Sequence, residues 1–338
     1  MPKMYDATIF IGRFQPLHDA HVETIKQALA NSKKVIIFIG SAYKPRTYKN
    51  PFYEGERFDM ITQTLSSLGY IYNKDYNIFT IPDYIHDDAK WYKLVNDYVR
   101  GITCETDRIA IIGHKKDQTS YYLDHFPDYE LIEMPLWQNL NSKDIRELYF
   151  KKNFNLNFTS AVVPEPVQTF LKEFAHSEEF NTIIREREYE ENYKKLFSTL
   201  PYPPIFLTAD AVVFCNDQVL LIERDKEPGK GLLALPGGFV DADTDATIED
   251  AMLRELKEET GLVLNPLNVA EVAAFDTIGR SSRGRIITHA YFFNLSGELP
   301  DVKGSSDART ADWYPLSSLD SRNFFEDHYE IISSFGGF

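Results

Sequence analysis

The sequence predicts two units in tandem, a doubly wound α/β domain built on a parallel sheet and then an α+β domain, and three observations carry that reading. At 338 residues the chain exceeds the length at which one hydrophobic core usually keeps growing, so about two domains are expected. The first half alternates short apolar β-rich runs with amphipathic helical stretches, the pattern of β-α-β units. From Ile205 that alternation gives way to β runs paired around a turn.

Taken in order, Ala7 to Gly12 is a β-rich run that meets a turn and then a helix near His21, with Val22, Ile25 and Leu29 on one apolar stripe. Lys34 to Gly40 is a near-continuous apolar strand of the kind covered on both faces. Helix, strand, helix and strand follow around Glu56 to Ser67, Tyr76 to Ile81, Lys90 to Val99 and Arg108 to Gly113. Ligands of such sheets sit at the carboxyl ends of the strands, so the loops after Ile11, Gly40, Ile81 and Ile112 are the ones to inspect.

Val163 to Ser198 holds two charged helical patterns, expected to pack mainly on the first domain, and the Pro-rich break at Leu200 to Pro204 is a semi-rigid spacer. The expected division is therefore a domain over 1–163, a helical linker over 164–203 and a second domain over 204–338. In the last of these, Ile205 to Cys215 and Gln218 to Arg224 form a hairpin about Asn216 and Asp217, followed by the loop Asp225 to Gly231 and the run LLALPGGFV.

The formal net charge of −15 weighs against non-specific binding to nucleic acid or an anionic membrane, both of which need a cationic face. No apolar run approaches the roughly 20 residues that span a bilayer, and Met1 to Asp6 begins no signal-peptide pattern. A cytoplasmic protein is expected. Cys104 and Cys215 lack partners at metal-ligand spacing, and both are expected to be reduced core residues.

The loop after the first strand reads GRFQPLHDAH. His18 and His21, three apart at a helix start, share one face near backbone N–H groups and the positive end of the dipole, a site suited to phosphate. The plainer reading is that His18 caps the helix and His21 lies at the surface. The segment resembles the H-x-G-H signature of the nucleotidyltransferase superfamily, specifically the nicotinamide mononucleotide adenylyltransferases of archaeal type. Four further segments fit in order: Gly40 to Arg57, Asp87 to Val95, Gly113 to Tyr122 and Leu140 to Arg146. The likeness covers about Met4 to Val163 and implies a Rossmann-like fold.

It further implies that His18 and His21 hold the phosphates of ATP while Arg13 and Arg146 stabilise charge on the transferring centre. The same matched segments place Gly12, Phe14, Lys49, Asp88, Trp91 and Gly113 on the substrate side, Trp91 stacking on the nicotinamide ring unless it is a core tryptophan. Such chemistry needs no protein nucleophile, since the phosphate of the mononucleotide attacks ATP itself. Two motifs depart from the pattern. Ala20 stands for the Gly of H-x-G-H, and Asn141 and Lys143 stand where Ser and Thr are common.

In the second domain, Glu255, Glu258 and Glu259 stand at i, i+3 and i+4 of a helical run. At 100° per residue they share an arc with Ile248 and Met252, with Asp250, Arg254 and Lys257 opposite, so they are expected to continue the inward face. Carboxylates brought to a core edge are costly unless a cation neutralises them, and oxygen-rich ligation suits Mg²⁺ or Mn²⁺. A solvated acidic helix end is the alternative.

Gly238 and Arg254 to Leu262 resemble the Nudix box, G-x5-E-x7-R-E-U-x-E-E-x-G-U. Its front half departs: 15 residues separate Gly238 from Arg254 where the pattern has 13, and Ala246 occupies the register of the first Glu. A two-residue insertion explains this, with Asp243 or Asp245 standing in. The resemblance implies Glu255, Glu258 and Glu259 as metal ligands, joined by a backbone carbonyl near Gly238, with Glu258 and Glu259 in catalytic roles. The general base would be a box glutamate or Asp307. Phe275 to Phe293 resembles the segment after the box in ADP-ribose pyrophosphatases, so Arg280, Arg283 and Arg285 form either a phosphate clamp or a basic surface loop.

Together these resemblances imply a fused adenylyltransferase–Nudix enzyme. Its first domain would make NAD and pyrophosphate from nicotinamide mononucleotide and ATP. Its second would hydrolyse ADP-ribose to AMP and ribose 5-phosphate, both with Mg²⁺ or a similar ion. Other mononucleotide or dinucleotide substrates, or a Nudix-like domain that senses a nucleotide without cutting it, are the alternatives. The sequence admits a homo-oligomer without requiring one.

Overall fold

The computed structural model describes residues 3–114, 126–135, 140–151, 162–304 and 308–336. The chain divides into two compact units, Met1–Ile184 and Arg185–Phe338.

In the first unit, strands β1 (Tyr5–Gly12), β2 (Ser32–Ile39), β3 (Tyr76–Thr80), β4 (Ile109–Gly113) and β5 (Glu130–Glu133) form a parallel sheet in the order β3-β2-β1-β4-β5. Helices α1 (Asp19–Asn31), α2 (Glu54–Ser67), α3 (Asp88–Arg100), α4 (Ser142–Tyr149) and α5 (Glu165–Phe174) complete it. The apolar runs behave as a sheet covered on both faces requires. In β2, Val35, Ile37 and Ile39 enter one core while Ile36 and Phe38 enter the other. Strand order reverses between β1 and β4, the switch point at which such folds bind ligands. Strand β5 escapes sequence reading because ELIE is short and half charged.

Helix α6 (Glu178–Lys195) crosses the boundary between the units. Phe180 and Ile183 are buried in the core of the first, and its residues from Arg185 belong to the second.

The second unit is a mixed sheet of β6 (Ile205–Cys215), β7 (Gln218–Arg224), β10 (Glu271–Phe275), β11 (Arg285–Leu295) and β12 (Ala308–Pro315), in the order β10-β11-β6-β7-β12. Short strands β8 (Leu233–Ala234) and β9 (Gly237–Phe239) pair with β7 and β6. Helix α7 (Ile248–Thr260) covers one face, where Met252 and Leu256 meet Ala209, Ala211 and Val213. Helix α8 (His328–Gly336) covers the other, where Ile331 and Ile332 meet Val212 and Phe214. Thr247 caps α7 through its hydroxyl, and Gly261, at φ 74°, supplies the left-handed residue that ends it.

One expectation is corrected here. Cys215 is buried at the end of β6, but Cys104 is exposed, in the turn after α3 where its N–H bonds Asp107.

Candidate functional site

At the end of β1 the backbone turns abruptly. Phe14 has a φ of 52°, and a Cβ at Gly12 would meet its ring at 2.8 Å. Two guanidiniums fix this turn from either side. Arg57, 1% exposed, donates to Arg13 O at 2.7 Å, Gly40 O at 2.6 Å and Ser41 O at 3.0 Å. Arg146 donates to Gln15 O at 2.7 Å. Gln15 in turn exchanges two hydrogen bonds with the backbone of Phe52, at 2.9 and 3.0 Å. The loops after β1 and β2 are thereby held as one piece.

The turn delivers the chain into α1 with His18 as its N-cap. His18 is buried and its ring stacks on that of His21 at 3.6 Å between centroids, while Phe14 stands edge-on to His21 at 4.9 Å. The His18 N–H donates to His21 Nδ1 at 3.4 Å. With Nδ1 accepting, the proton of neutral His21 is on Nε2, at the N-terminal end of the helix.

Three cations gather nearby with little to neutralise them. Burial pushes the Lys49 ammonium down, and Arg13, Lys44 and Arg146 add to that effect, opposed by Asp83. Burial, then the charge of Arg13, brings Arg146 down to about 10, and burial also lowers Arg13. Asp83, in the loop after β3, accepts from the Ser41 N–H at 3.2 Å. Among the described residues Arg146 Nε has no hydrogen-bond partner. An excess of desolvated positive charge at the carboxyl ends of a parallel sheet is a site for a polyanion.

Gly12, Arg13, Phe14, His18, His21, Lys49 and Arg146 are thus brought together around one turn. Trp91 is half-buried in the first turn of α3, edge-on to Tyr92 at 5.3 Å and packed on the second core, with Asp88 exposed beside it. Gly113 ends β4, its carbonyl accepting from the Met134 N–H at 2.9 Å. At the departures from the family pattern, Asn141 caps α4 through Asp144 N–H and Lys143 pairs with Glu147 at 3.8 Å. Ser142 donates to Pro16 O at 3.2 Å.

In the second unit the acidic end of α7 faces the strand β9. Glu259 is buried and accepts from the Gly237 N–H at 3.0 Å, and burial pushes its carboxyl up to about 8. Burial likewise raises Glu255, whose carboxylate lies so close to Gly238 that a Cβ there would stand 2.4 Å from its Oε1. Asp210 on β6, also against Gly237, is pushed up to about 7 by burial.

Glu258 differs from the inward face expected of it, since its side chain is 48% exposed. Arg254 differs too. It is drawn off the opposite face by the loop that precedes α7, where its fork binds Asp245 at 2.9 Å through Nε and Nη2. The same guanidinium donates to Glu255 at 2.8 Å, to Glu258 at 3.2 Å and to Phe239 O at 3.2 Å. Helical phase places a Cα direction, not the reach of a long cationic side chain. Asp245 is held down at about 2 by Arg254, whereas Asp243 donates its N–H to Asp241. Among the described residues no three acidic, His or Cys groups already converge as metal ligands, and Asp307 lies outside the described residues.

The three arginines after the box separate. Arg280 is buried in a two-pronged pair with Asp327, both contacts 2.7 Å, and ties its loop to the segment before α8. Arg283 pairs with Glu326 at 3.2 Å and lies over the Phe239 and Phe325 rings at 5.4 and 5.2 Å. Arg285 opens β11.

Family models match both units, cytidylyltransferase-like over residues 9–162 and NUDIX domain over 205–335. A nicotinamide/nicotinic acid mononucleotide adenylyltransferase of Acinetobacter baylyi is 37% identical over 175 residues, covering 52% of this chain and 89% of that protein. An ADP-ribose pyrophosphatase of Methanocaldococcus jannaschii is 33% identical over 129 residues, 38% of this chain and 72% of that one. A bifunctional NMN adenylyltransferase/ADP ribose pyrophosphatase from Francisella tularensis superposes with a TM-score of 0.90 at 34% identity, covering 99% of each chain. Its complex with AMP and Mn ion superposes with a TM-score of 0.89.

This chain belongs to the family of bifunctional NMN adenylyltransferase/ADP-ribose pyrophosphatases.

The adenylyltransferase unit is therefore the one whose cations surround the β1 turn, and the pyrophosphatase unit the one built on α7. Sequence reading missed Arg57, although it closes the matched segment Gly40 to Arg57, because nothing in a motif tells a buried backbone clamp from a surface arginine. Arg224 was missed as well. Its guanidinium lies 3.9 Å from the Phe325 ring centroid, and its sequence signal is weak, since it is one charge in the run Glu223 to Glu227 at the end of an apolar strand.

Proposed function

We infer that the chain carries out two reactions of pyridine nucleotide metabolism. The first unit joins nicotinamide mononucleotide to the adenylyl group of ATP, giving NAD and pyrophosphate. The second hydrolyses ADP-ribose to AMP and ribose 5-phosphate with a divalent cation. The observation that carries this reading is the opposite charge of the two sites in a chain matched over 99% of its length by a bifunctional enzyme.

In the first reaction a phosphate oxygen of the mononucleotide attacks the α-phosphorus of ATP and the bond to the β-phosphate oxygen breaks. The residues supply position and charge. Arg57 and Arg146 fix the turn, His18 and His21 take the outer phosphates at the α1 N-terminus, and Arg13, Lys49 and Arg146 face the charge that develops as pyrophosphate leaves. Gly12, Phe14, Asp88, Trp91 and Gly113 line the substrate side.

For the second reaction the residues present fit a hard divalent cation. Glu255, Glu258, Glu259 and the Gly238 carbonyl are an all-oxygen donor set, and the buried Glu259 carboxyl has only a backbone N–H and the nearby Arg224 in its favour. When bound, such an ion polarises the pyrophosphate and lowers the pKa of an attacking water. Gly238 keeps the backbone close to Glu255, Arg254 orients Glu255 and Glu258, and Arg283 faces the diphosphate. Mg²⁺ is the ion we assign, with Mn²⁺ as a substitute.

The test is product analysis on the full chain. Nicotinamide mononucleotide plus ATP and Mg²⁺ should give NAD and pyrophosphate, and ADP-ribose plus Mg²⁺ should give AMP and ribose 5-phosphate. Failure of either reaction, with turnover of another mononucleotide or dinucleotide in its place, removes that half of the reading.

A further inference from the structure

Helix α6 precedes the residues matched by the NUDIX model, yet its second half belongs to the pyrophosphatase unit. Glu186 and Glu190, one helical turn apart, each hold a different loop of that unit. The Gly229 N–H donates to Glu186 Oε1 at 2.8 Å, and the Ser282 hydroxyl donates to Glu190 Oε1. Gly229 lies in the loop that follows Arg224 at the end of β7, and Ser282 is adjacent to Arg283 in the loop before β11.

The two arginines that these loops carry converge on one ring. Arg224 stands 3.9 Å and Arg283 5.2 Å from the centroid of Phe325. Arg224 is also fastened to the loop that Glu186 holds, since its Nε donates to Pro228 O at 3.1 Å. Gly229, at φ 77°, lies so close to Phe325 that a Cβ there would stand 2.3 Å from the ring. Loop, ring and arginines are therefore one packed piece, and Arg283 also lies over Phe239, which ends β9 beside the α7 acids.

Neither arginine is fully compensated. Among the described residues Arg224 forms no ion pair, and burial followed by the charge of Arg283 pushes its guanidinium down, with Glu326 and Glu259 close enough to oppose this. Arg283 has its pair with Glu326, but its buried Nε has no hydrogen-bond partner among the described residues. Two desolvated guanidiniums side by side, next to an acidic helix end, suit an anion with several oxygens.

We propose that Arg224 joins Arg283 in binding the diphosphate of the pyrophosphatase substrate, and that Glu186 and Glu190 of α6, outside the Nudix fold, are positioning residues that hold the pair in place. This rests on the ADP-ribose hydrolase reading above. Burial, with Glu227 and Glu190 nearby, pushes Glu186 up to about 7, so glutamine is a close replacement that keeps the accepting oxygen.

The experiment measures both activities of the full chain. In the double variant Glu186→Ala, Glu190→Ala, KM for ADP-ribose rises about tenfold or more, kcat changes much less, and NAD formation is unaltered. Glu186→Gln with Glu190→Gln recovers most of the lost affinity, and Arg224→Ala raises KM as the double alanine variant does. An unchanged KM in the double alanine variant, a parallel loss of NAD formation, or no recovery with glutamine overturns the proposal. Absence of ADP-ribose turnover by the unsubstituted chain overturns the hydrolase reading itself, a separate result.

Discussion

In the adenylyltransferase unit Arg13, Lys49 and Arg146 face one another with Asp83 as the opposing charge, whereas in the pyrophosphatase unit Glu259 lies close to both Glu255 and Asp210 and burial pushes all three carboxyls up. Both sites act on a phosphoanhydride. One meets the substrate's negative charge with protein cations, and the other is built of acids that need an ion between themselves and the substrate. The net charge of −15 describes neither, because a site is defined by what a few buried groups cannot neutralise locally.

The comparison breaks most visibly if the cations of the first unit are not specific to it. Arg146→Ala should lower kcat/KM for NAD formation by roughly 10³-fold, as loss of a well-placed donor at developing charge does, and leave ADP-ribose hydrolysis unchanged in the same preparation. Next in size is the clamp beneath that site. Arg57→Met leaves Arg13 O, Gly40 O and Ser41 O without their donor, a loss of about 3 kcal/mol in denaturant unfolding of the first unit, with the second unit's transition unmoved.

Ligands should separate the units in the same way. Pyrophosphate at about 100 times its dissociation constant stabilises its site by about 2.7 kcal/mol. Hydrogen exchange should therefore slow over 12–22 with pyrophosphate and over 237–260 with Mn²⁺, and not the reverse.

The smallest effect, taken per pH unit, contrasts two kinds of histidine. His18 and His21 stack at the N-terminus of α1, while His328 is buried in the second unit, where its Nδ1 accepts from the Leu235 N–H at 3.0 Å. Burial pulls His328 down to about 3, below its unfolded value of about 6.5. Its contribution is present above pH 6.5 and lost as pH falls toward 3, because the unfolded chain takes up the proton first. Stability of the second unit should fall by up to about 1.4 kcal/mol per pH unit in that window, and His328→Asn should flatten the slope.

Much of this was legible in the chain. The apolar run of β2, the stripe of α1 and the inward Glu255 and Glu259 of α7 are each set by local periodicity, which sequence displays directly, whereas Glu258 is exposed. The positions of Gly12, His18, His21 and Arg146 follow from ordered motifs. What stayed hidden depends on contacts distant in sequence. Asp245 meets Arg254 because the loop before α7 folds back onto the helix, and Arg280 meets Asp327 47 positions away. Glu186 and Glu190 stand in a charged helical pattern expected to pack mainly on the first domain, and nothing local marks the second-unit loops that they hold.

The most direct test of the division of charge is Glu259→Gln in the full chain, with both reactions assayed side by side under Mg²⁺. The account predicts a fall in ADP-ribose hydrolysis on the order of 10³-fold, from the loss of metal-assisted stabilisation, and NAD formation at the level of the unsubstituted chain. Unchanged hydrolysis, or an equal fall in both reactions, would contradict it.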